Sequence, residues 1–194
     1  MFASRKDFTP QEPSSDTKTH FSSAPWAALL FKDPSLQAFS NESRIPKPST
    51  AETFTSKTLA TDDTISAWQS FYKAPRAEGK FCEVVSLLSL GSGVNGHIDT
   101  CHGGFVSAIL DEVIGTAAEY ERPTDKSTMT AYLKVEYKKP VRTPAVILCR
   151  AALEKREGRK LWGRGTVEDG EGTILATGEA LFVIVERVKP LEKL

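Results

Sequence analysis

The chain has 194 residues, and 25 Lys and Arg balance 25 Asp and Glu to a formal charge of zero. With its basic residues scattered, it carries no footprint for nucleic acid or a bulk anionic surface, and no apolar run is long enough to span a bilayer. Cys82, Cys101 and Cys149 lie far apart without metal-type spacing and suit core packing in a reducing compartment. A zinc site would consume most of the three histidines, His20, His97 and His102, so neither a metal nor a cofactor is expected.

The first residues lack the apolar stretch of a secretory signal. Arg5, Lys6 and several Ser/Thr have some transit-peptide character, but Asp7, Glu12 and Asp16 run against it. The expectation is a disordered cytosolic tail over 1–22. A helical extension and linker follow over 23–80. Ser23 and Pro25 suit a helix start with Trp26, Leu29 and Leu30 on its apolar face. Residues 40–57, with Pro46 and Pro48, read as linker. Thr61-Asp62-Asp63 can cap a second helix in which Ile65, Trp68, Phe71 and Tyr72 share a face, ended by Pro75.

From 81 the pattern changes to strands, and a single domain over 81–187 is expected, with a tail at 188–194. Residues 81–90 read as a strand and 91–100 as a Gly-containing loop; no Gly-Lys-Ser/Thr follows, so the loop is no phosphate cradle. Residues 101–120, CHGGFVSAILDEVIGTAAEY, read as a helix apolar on most of its circumference. Gly104, Ser107 or Ala108, Asp111 and Gly115 form one narrow stripe, which leaves room to approach the Asp111 carboxylate. The glycines at the first turn expose N–H groups that have no intrahelical partner and suit a developing negative charge. A plain tight turn into a core helix explains them as well. Four strands follow, over 128–137, 145–154, 159–168 and 173–185, with turns at Glu157-Gly158 and 169–172. The class is α+β: an antiparallel sheet wrapped around one long buried central helix, with an N-terminal helical extension.

His102-Gly103-Gly104 followed by Asp111, then MTAYL at 129–133, YKKPV at 137–141 and the EGRK turn at 157–160, resemble the hotdog-fold acyl-CoA thioesterases of the phenylacetate-degradation type. The likeness covers about 81–186, and the N-terminal extension is similar to that of small fungal members. It implies hydrolysis of acyl-CoA to acid and CoA in a homodimer or homotetramer with shared sites. Asp111 would be general base, or less readily a nucleophile. The His102-Gly103 turn and the Gly104 N–H would polarise the carbonyl, and Thr130 would reach in from the neighbouring subunit to hold the water. His102 would contribute chiefly backbone. Glu112, pointing away from Asp111, is expected to be solvated or at a dimer edge. Candidate substrate contacts are Asn95, His97 and Ser107, with Lys138, Lys139 and Arg159, and also Arg142, Arg156 and Lys160, for the CoA phosphates. Without a Gly-x-Ser-x-Gly elbow, and with Cys101 at a helix entry, a Ser or Cys nucleophile is disfavoured. The alternatives are a thioesterase acting on carrier-protein-bound chains and a non-catalytic acyl-binding protein.

Overall fold

Seven strands pair antiparallel into one sheet in the computed structural model, which describes residues 8–187. They are β1 (Gln37–Phe39), β2 (Ile65–Lys73), β3 (Glu83–Leu90), β6 (Lys126–Tyr137), β7 (Ala145–Glu157), β8 (Lys160–Glu168) and β9 (Ile174–Glu186). Their spatial order is β1-β2-β3-β7-β8-β9-β6. A small hairpin of β4 (Asn95–His97) and β5 (Thr100–Cys101) leads into the helix α3 (Gly103–Glu119). The sheet curls around α3, whose Val106, Ile109, Leu110, Val113, Ile114, Ala117 and Ala118 are all buried. Glycines let the helix settle deeply: a Cβ at Gly163 would lie 2.6 Å from Ile114 Cγ2, and one at Gly165 2.9 Å from Ile114 Cγ1. The α+β expectation of a sheet around one central helix therefore holds, and among the described residues no helix is long and apolar enough to cross a membrane.

The outer face of the sheet is covered as well. Two short helices, α1 (Ser15–Phe21) and α2 (Pro25–Leu30), pack there, and Phe21 and Ala27 join Phe71, Val85, Leu87 and Leu148 in a second core. Val84, Leu88 and Ile147 face α3 instead. Cover on both faces explains why β3 is apolar almost throughout instead of alternating.

Three expectations change. The tail over 1–22 is ordered where described: Ser14 caps α1, Phe21 is fully buried, and Phe8 stacks on Tyr72 at 4.3 Å. Residues 1–7 and the expected tail at 188–194 lie outside the described residues. The helix expected after Thr61 is strand β2, so the sheet begins well before residue 81. A bulge after Ile65 lets Ile65, Trp68 and Tyr72 face α3 while Phe71 faces α1 and α2, a spacing that imitates a helical stripe. At α2, Ala24 stands at the N-cap without a side-chain bond, because Ser23 Oγ donates back to His20 O, and Leu29 is exposed. In the loop over 91–100 two glycine N–H groups are occupied, Gly91 donating to Thr64 O and Gly93 to Asp63 O.

Because Phe21 fills the outer core, Phe21→Ala should cost about 3–5 kcal/mol. Urea unfolding monitored by circular dichroism checks this; a disordered tail would leave the midpoint unchanged.

Candidate active site

Two constellations sit on α3, one at its N-terminus and one two turns on. At the N-terminus, His102 takes the cap position, and the Gly104 N–H donates to His102 Nδ1 at 2.9 Å. This bond sets the imidazole with its hydrogen on Nε2. It also occupies the Gly104 donor, which therefore is not the free oxyanion contact expected of it. The Gly103 N–H makes no hydrogen bond among the described residues and is the open donor of the first turn. The Tyr137 hydroxyl donates to Gly103 O at 2.9 Å and lies 2.7 Å from Ser107 Oγ. Ser107 is thus tied to the helix entry and to Tyr137, which the sequence offers as a strand end and as part of YKKPV but not as a site residue.

The β4–β5 hairpin brings Asn95 opposite Cys101, beside the helix entry, and Asn95 Oδ1 accepts from Thr143 Oγ1 at 2.5 Å. The close approach requires Gly96, since a Cβ there would lie 2.9 Å from the His102 ring. His97 is exposed at the hairpin tip. Cys101 is buried, and burial pushes its thiol up to about 11, so it is no thiolate nucleophile.

In the second constellation Thr130 Oγ1 donates to Asp111 Oδ1 at 2.9 Å within the same chain. This corrects the expectation that Thr130 serves the Asp111 of a neighbouring subunit. Simple alternation along β6 would also put Thr130 on the face opposite Leu133 and Val135. A bulge at Ala131, between the pairs Thr130↔Phe182 and Tyr132↔Leu181, shifts the alternation by one. Thr128 and Thr130 then both turn toward α3, Thr128 donating to Glu119 Oε1 at 2.7 Å, while Leu133 and Val135 still pack on the core. Burial raises the Asp111 carboxyl above the usual range, and the Thr130 hydrogen bond opposes that rise.

Asp111 and Thr130 open onto a cavity of about 740 Å³ between α3 and the N-terminal segment. Its wall includes Asn41, Ser43 and Glu52 opposite Glu112, Thr116 and Glu119. Glu112 is accordingly half-buried on the cavity wall and not freely solvated. Burial pushes its carboxyl up to about 7, the charges of Glu52 and Asp111 add to the rise, and the Ser43 hydroxyl partly offsets it.

The candidate phosphate contacts are not brought together in one chain. The Lys138 N–H bonds Leu175 O near the helix N-terminus, whereas Arg159 O accepts from the Ile184 N–H at the far end of β9. Those ends are separated by nine residues of strand, about 30 Å at ~3.3 Å per residue. Lys138 also pairs with Glu136 at 3.1 Å. Lys139, like Lys138, is exposed beyond the end of β6. Among the described residues, no group of three or more His, Cys, Asp or Glu is placed to hold a metal ion.

Residues 99–176 match the family model of the thioesterase superfamily. The acyl-coenzyme A thioesterase THEM4 of Mus musculus is 36% identical over 108 residues, covering 55% of this chain and 45% of that protein. Its counterpart in Rattus norvegicus is 34% identical over 109 residues, covering 56% and 46%. The chain thus spans about half the length of the curated relatives it matches. Among solved structures, a phenylacetic acid degradation-related protein from Ralstonia eutropha superposes with a TM-score of 0.55 at 19% identity, over 72% of this chain and 92% of that one. A thioesterase family protein from Silicibacter pomeroyi superposes with a TM-score of 0.52 at 20% identity, over 61% and 85%. Residues 99–176 are thus similar to the thioesterase superfamily, and the chain has the hotdog fold of those solved structures.

Proposed function

We propose that the chain hydrolyses acyl-CoA thioesters, with the site completed by a second copy of itself. The observation that carries this reading is the Thr130–Asp111 hydrogen bond, which holds a half-buried carboxylate on a cavity wall by one oxygen and leaves the other without a hydrogen-bond partner among the described residues, available to hold a water. Asp111 takes a proton from that water, and the resulting hydroxide oxygen attacks the thioester carbonyl carbon. The carbonyl oxygen becomes an oxyanion bonded by a Gly103 N–H at a helix N-terminus. Collapse breaks the C–S bond, and the proton held by Asp111 leaves with the CoA thiolate.

The oxyanion donor cannot come from the same helix. Gly103 and Asp111 are eight residues apart, about 12 Å along the axis at ~1.5 Å per residue, whereas reacting groups need about 3–3.5 Å. A two-fold axis that sets two α3 helices side by side and antiparallel would bring Gly103 of one copy to Asp111 of the other. The edge of β6 supports such an axis. It ends the sheet with one side unpaired, and Met129, Tyr132 and Tyr137 are exposed along it. The shared site is then Asp111 with Thr130 from one copy, and Gly103 with the His102 turn from the other.

Three outcomes test the scheme. Asp111→Asn should lower kcat for acyl-CoA thiol release about 10²–10⁴-fold while circular dichroism shows an unchanged fold. Gly103→Pro deletes the oxyanion N–H at a first helical position, which tolerates proline; His102, at φ −63° and ψ 135°, already has the conformation a following proline requires. Each variant alone should be inactive, and subunits mixed by refolding should recover roughly a quarter of wild-type activity, since half the dimers then hold one intact site of two. Failure of a verified mixed dimer to recover would sink the shared site.

The third concerns pH. The Thr130 hydroxyl favours the charged form of Asp111, so Thr130→Ala should raise the Asp111 pKa further. The acidic limb of kcat against pH should move to higher pH, with a larger rate loss at pH 6 than at pH 9. An unmoved limb would show that Thr130 does not bear on the base.

A further inference from the structure

Two successive glycines, Gly103 and Gly104, open the first turn of α3, and without side chains they leave that turn unusually free in its backbone. Helix ends fray, and a donor on a fraying turn is a poor partner for a charge that develops at one point in space. Here the turn is fastened on both sides of the Gly103 N–H. The His102–Gly103 peptide is held by its carbonyl, which accepts from the Phe105 and Val106 N–H groups at 3.0 and 3.1 Å. The Gly103–Gly104 peptide is held at both ends. Its N–H donates to His102 Nδ1 at 2.9 Å, and its carbonyl accepts from the Tyr137 hydroxyl at 2.9 Å, with Ser107 Oγ at 3.2 Å from the same oxygen.

The place of Tyr137 in β6 makes this bond possible. After the bulge at Ala131 the strand turns Leu133, Val135 and Tyr137 toward α3, and Tyr137 ends the row at the helix entry. The chain beyond it is tied to the same entry, the Cys101 N–H donating to Val141 O at 2.9 Å and Arg142 pairing with Thr100. Burial does not demand the bond. Tyr137 is 57% exposed, so water can serve its hydroxyl, and a first-turn carbonyl already has the helical N–H four residues on. The ring also lies against the turn, since a Cβ at Gly103 would be 3.4 Å from Tyr137 Cζ.

We propose that Tyr137 is a positioning residue: with His102 it clamps the Gly103–Gly104 peptide and so fixes the direction of the open Gly103 N–H. The inference rests on the thioesterase reading above, in which that N–H meets the oxyanion. It places Tyr137 in the half of the shared site that carries Gly103, apart from the half that carries Asp111 and Thr130.

Tyr137→Phe keeps the ring and removes the hydroxyl. It should lower kcat for acyl-CoA roughly tenfold, short of the ~10²–10³ lost with an oxyanion donor itself, and leave KM within about twofold. The acidic limb of kcat against pH should stay in place, because the Asp111–Thr130 pair is untouched. Mixed with Asp111→Asn subunits, the variant should recover roughly a quarter of wild-type activity, since one site of each mixed dimer then joins an intact Asp111 to an intact Tyr137. Mixed with Gly103→Pro subunits it should recover nothing. A general structural defect would also spoil the Asp111 of the altered subunit and remove the first recovery.

A readout without turnover uses nuclear magnetic resonance on protein isotopically labelled only in its 13 glycines. Tyr137→Phe should shift the Gly103 and Gly104 amide signals and speed hydrogen exchange of the Gly104 N–H severalfold, with Gly163 and Gly165 unchanged. That result in a protein whose wild type cleaves no CoA ester would uphold the clamp and sink the hydrolytic reading alone. Unchanged Gly104 exchange, an unchanged kcat, a rise in KM without a fall in kcat, or recovery with Gly103→Pro subunits would overturn the role given to Tyr137.

Discussion

The close seating of α3 in the sheet is the constraint on which the rest depends. Ile114 sits over Gly163 and Gly165 at distances that no side chain could share, so the helix has one depth and one rotation against the strands. With most of the helix committed to apolar contact, the stripe holding Asp111 and Gly115 is left facing the cavity. The polar chemistry is confined there because the remaining circumference is already filled. A larger residue at either glycine would reach the site through the helix, although neither glycine is near it.

The strand bulge at Ala131 works in concert with that seating. It gives β6 two registers of alternation: threonines toward the helix in its first part, and Leu133 and Val135 toward the core in its second. One strand can thereby place hydroxyls next to carboxylates and still close the hydrophobic core. The device costs one unpaired residue at an edge, where bulges are best tolerated.

Much of this was legible in the sequence. The helix over 103–119, the four strands after it and the open stripe that holds Asp111 followed from periodicity and turn residues, because most of those segments obey one period each. The match of residues 99–176 to the thioesterase superfamily and the hotdog fold agree with the resemblance those residues carried. What misled were segments where two periods overlap or a partner is remote. In β2, a bulge and burial on both faces made Ile65, Trp68, Phe71 and Tyr72 imitate a helix. The burial of Phe21 depends on Phe71, Val85 and Leu148, far along the chain, so its own polar neighbourhood read as a tail. His102 capturing the Gly104 N–H is a local cap that the HGG pattern does not announce, and Glu112 meeting Ser43 at the cavity is a tertiary fact with no local signature.

The bare side of β6 has a consequence for the chain as a molecule in a crowded solution. Twelve residues of edge, with Met129, Tyr132 and Tyr137 displayed along it, offer a template to any extended segment that drifts past. Lys126, Lys134 and Glu136 are the charges along it that discourage wrong partners, while the bulge twists the strand away from flat pairing. In the proposed dimer, self-association and misassembly would compete for the same row of amides. A substitution that loosens the proper pairing would first appear as lost material, through aggregation at ordinary protein concentrations, before any defect in chemistry could be measured.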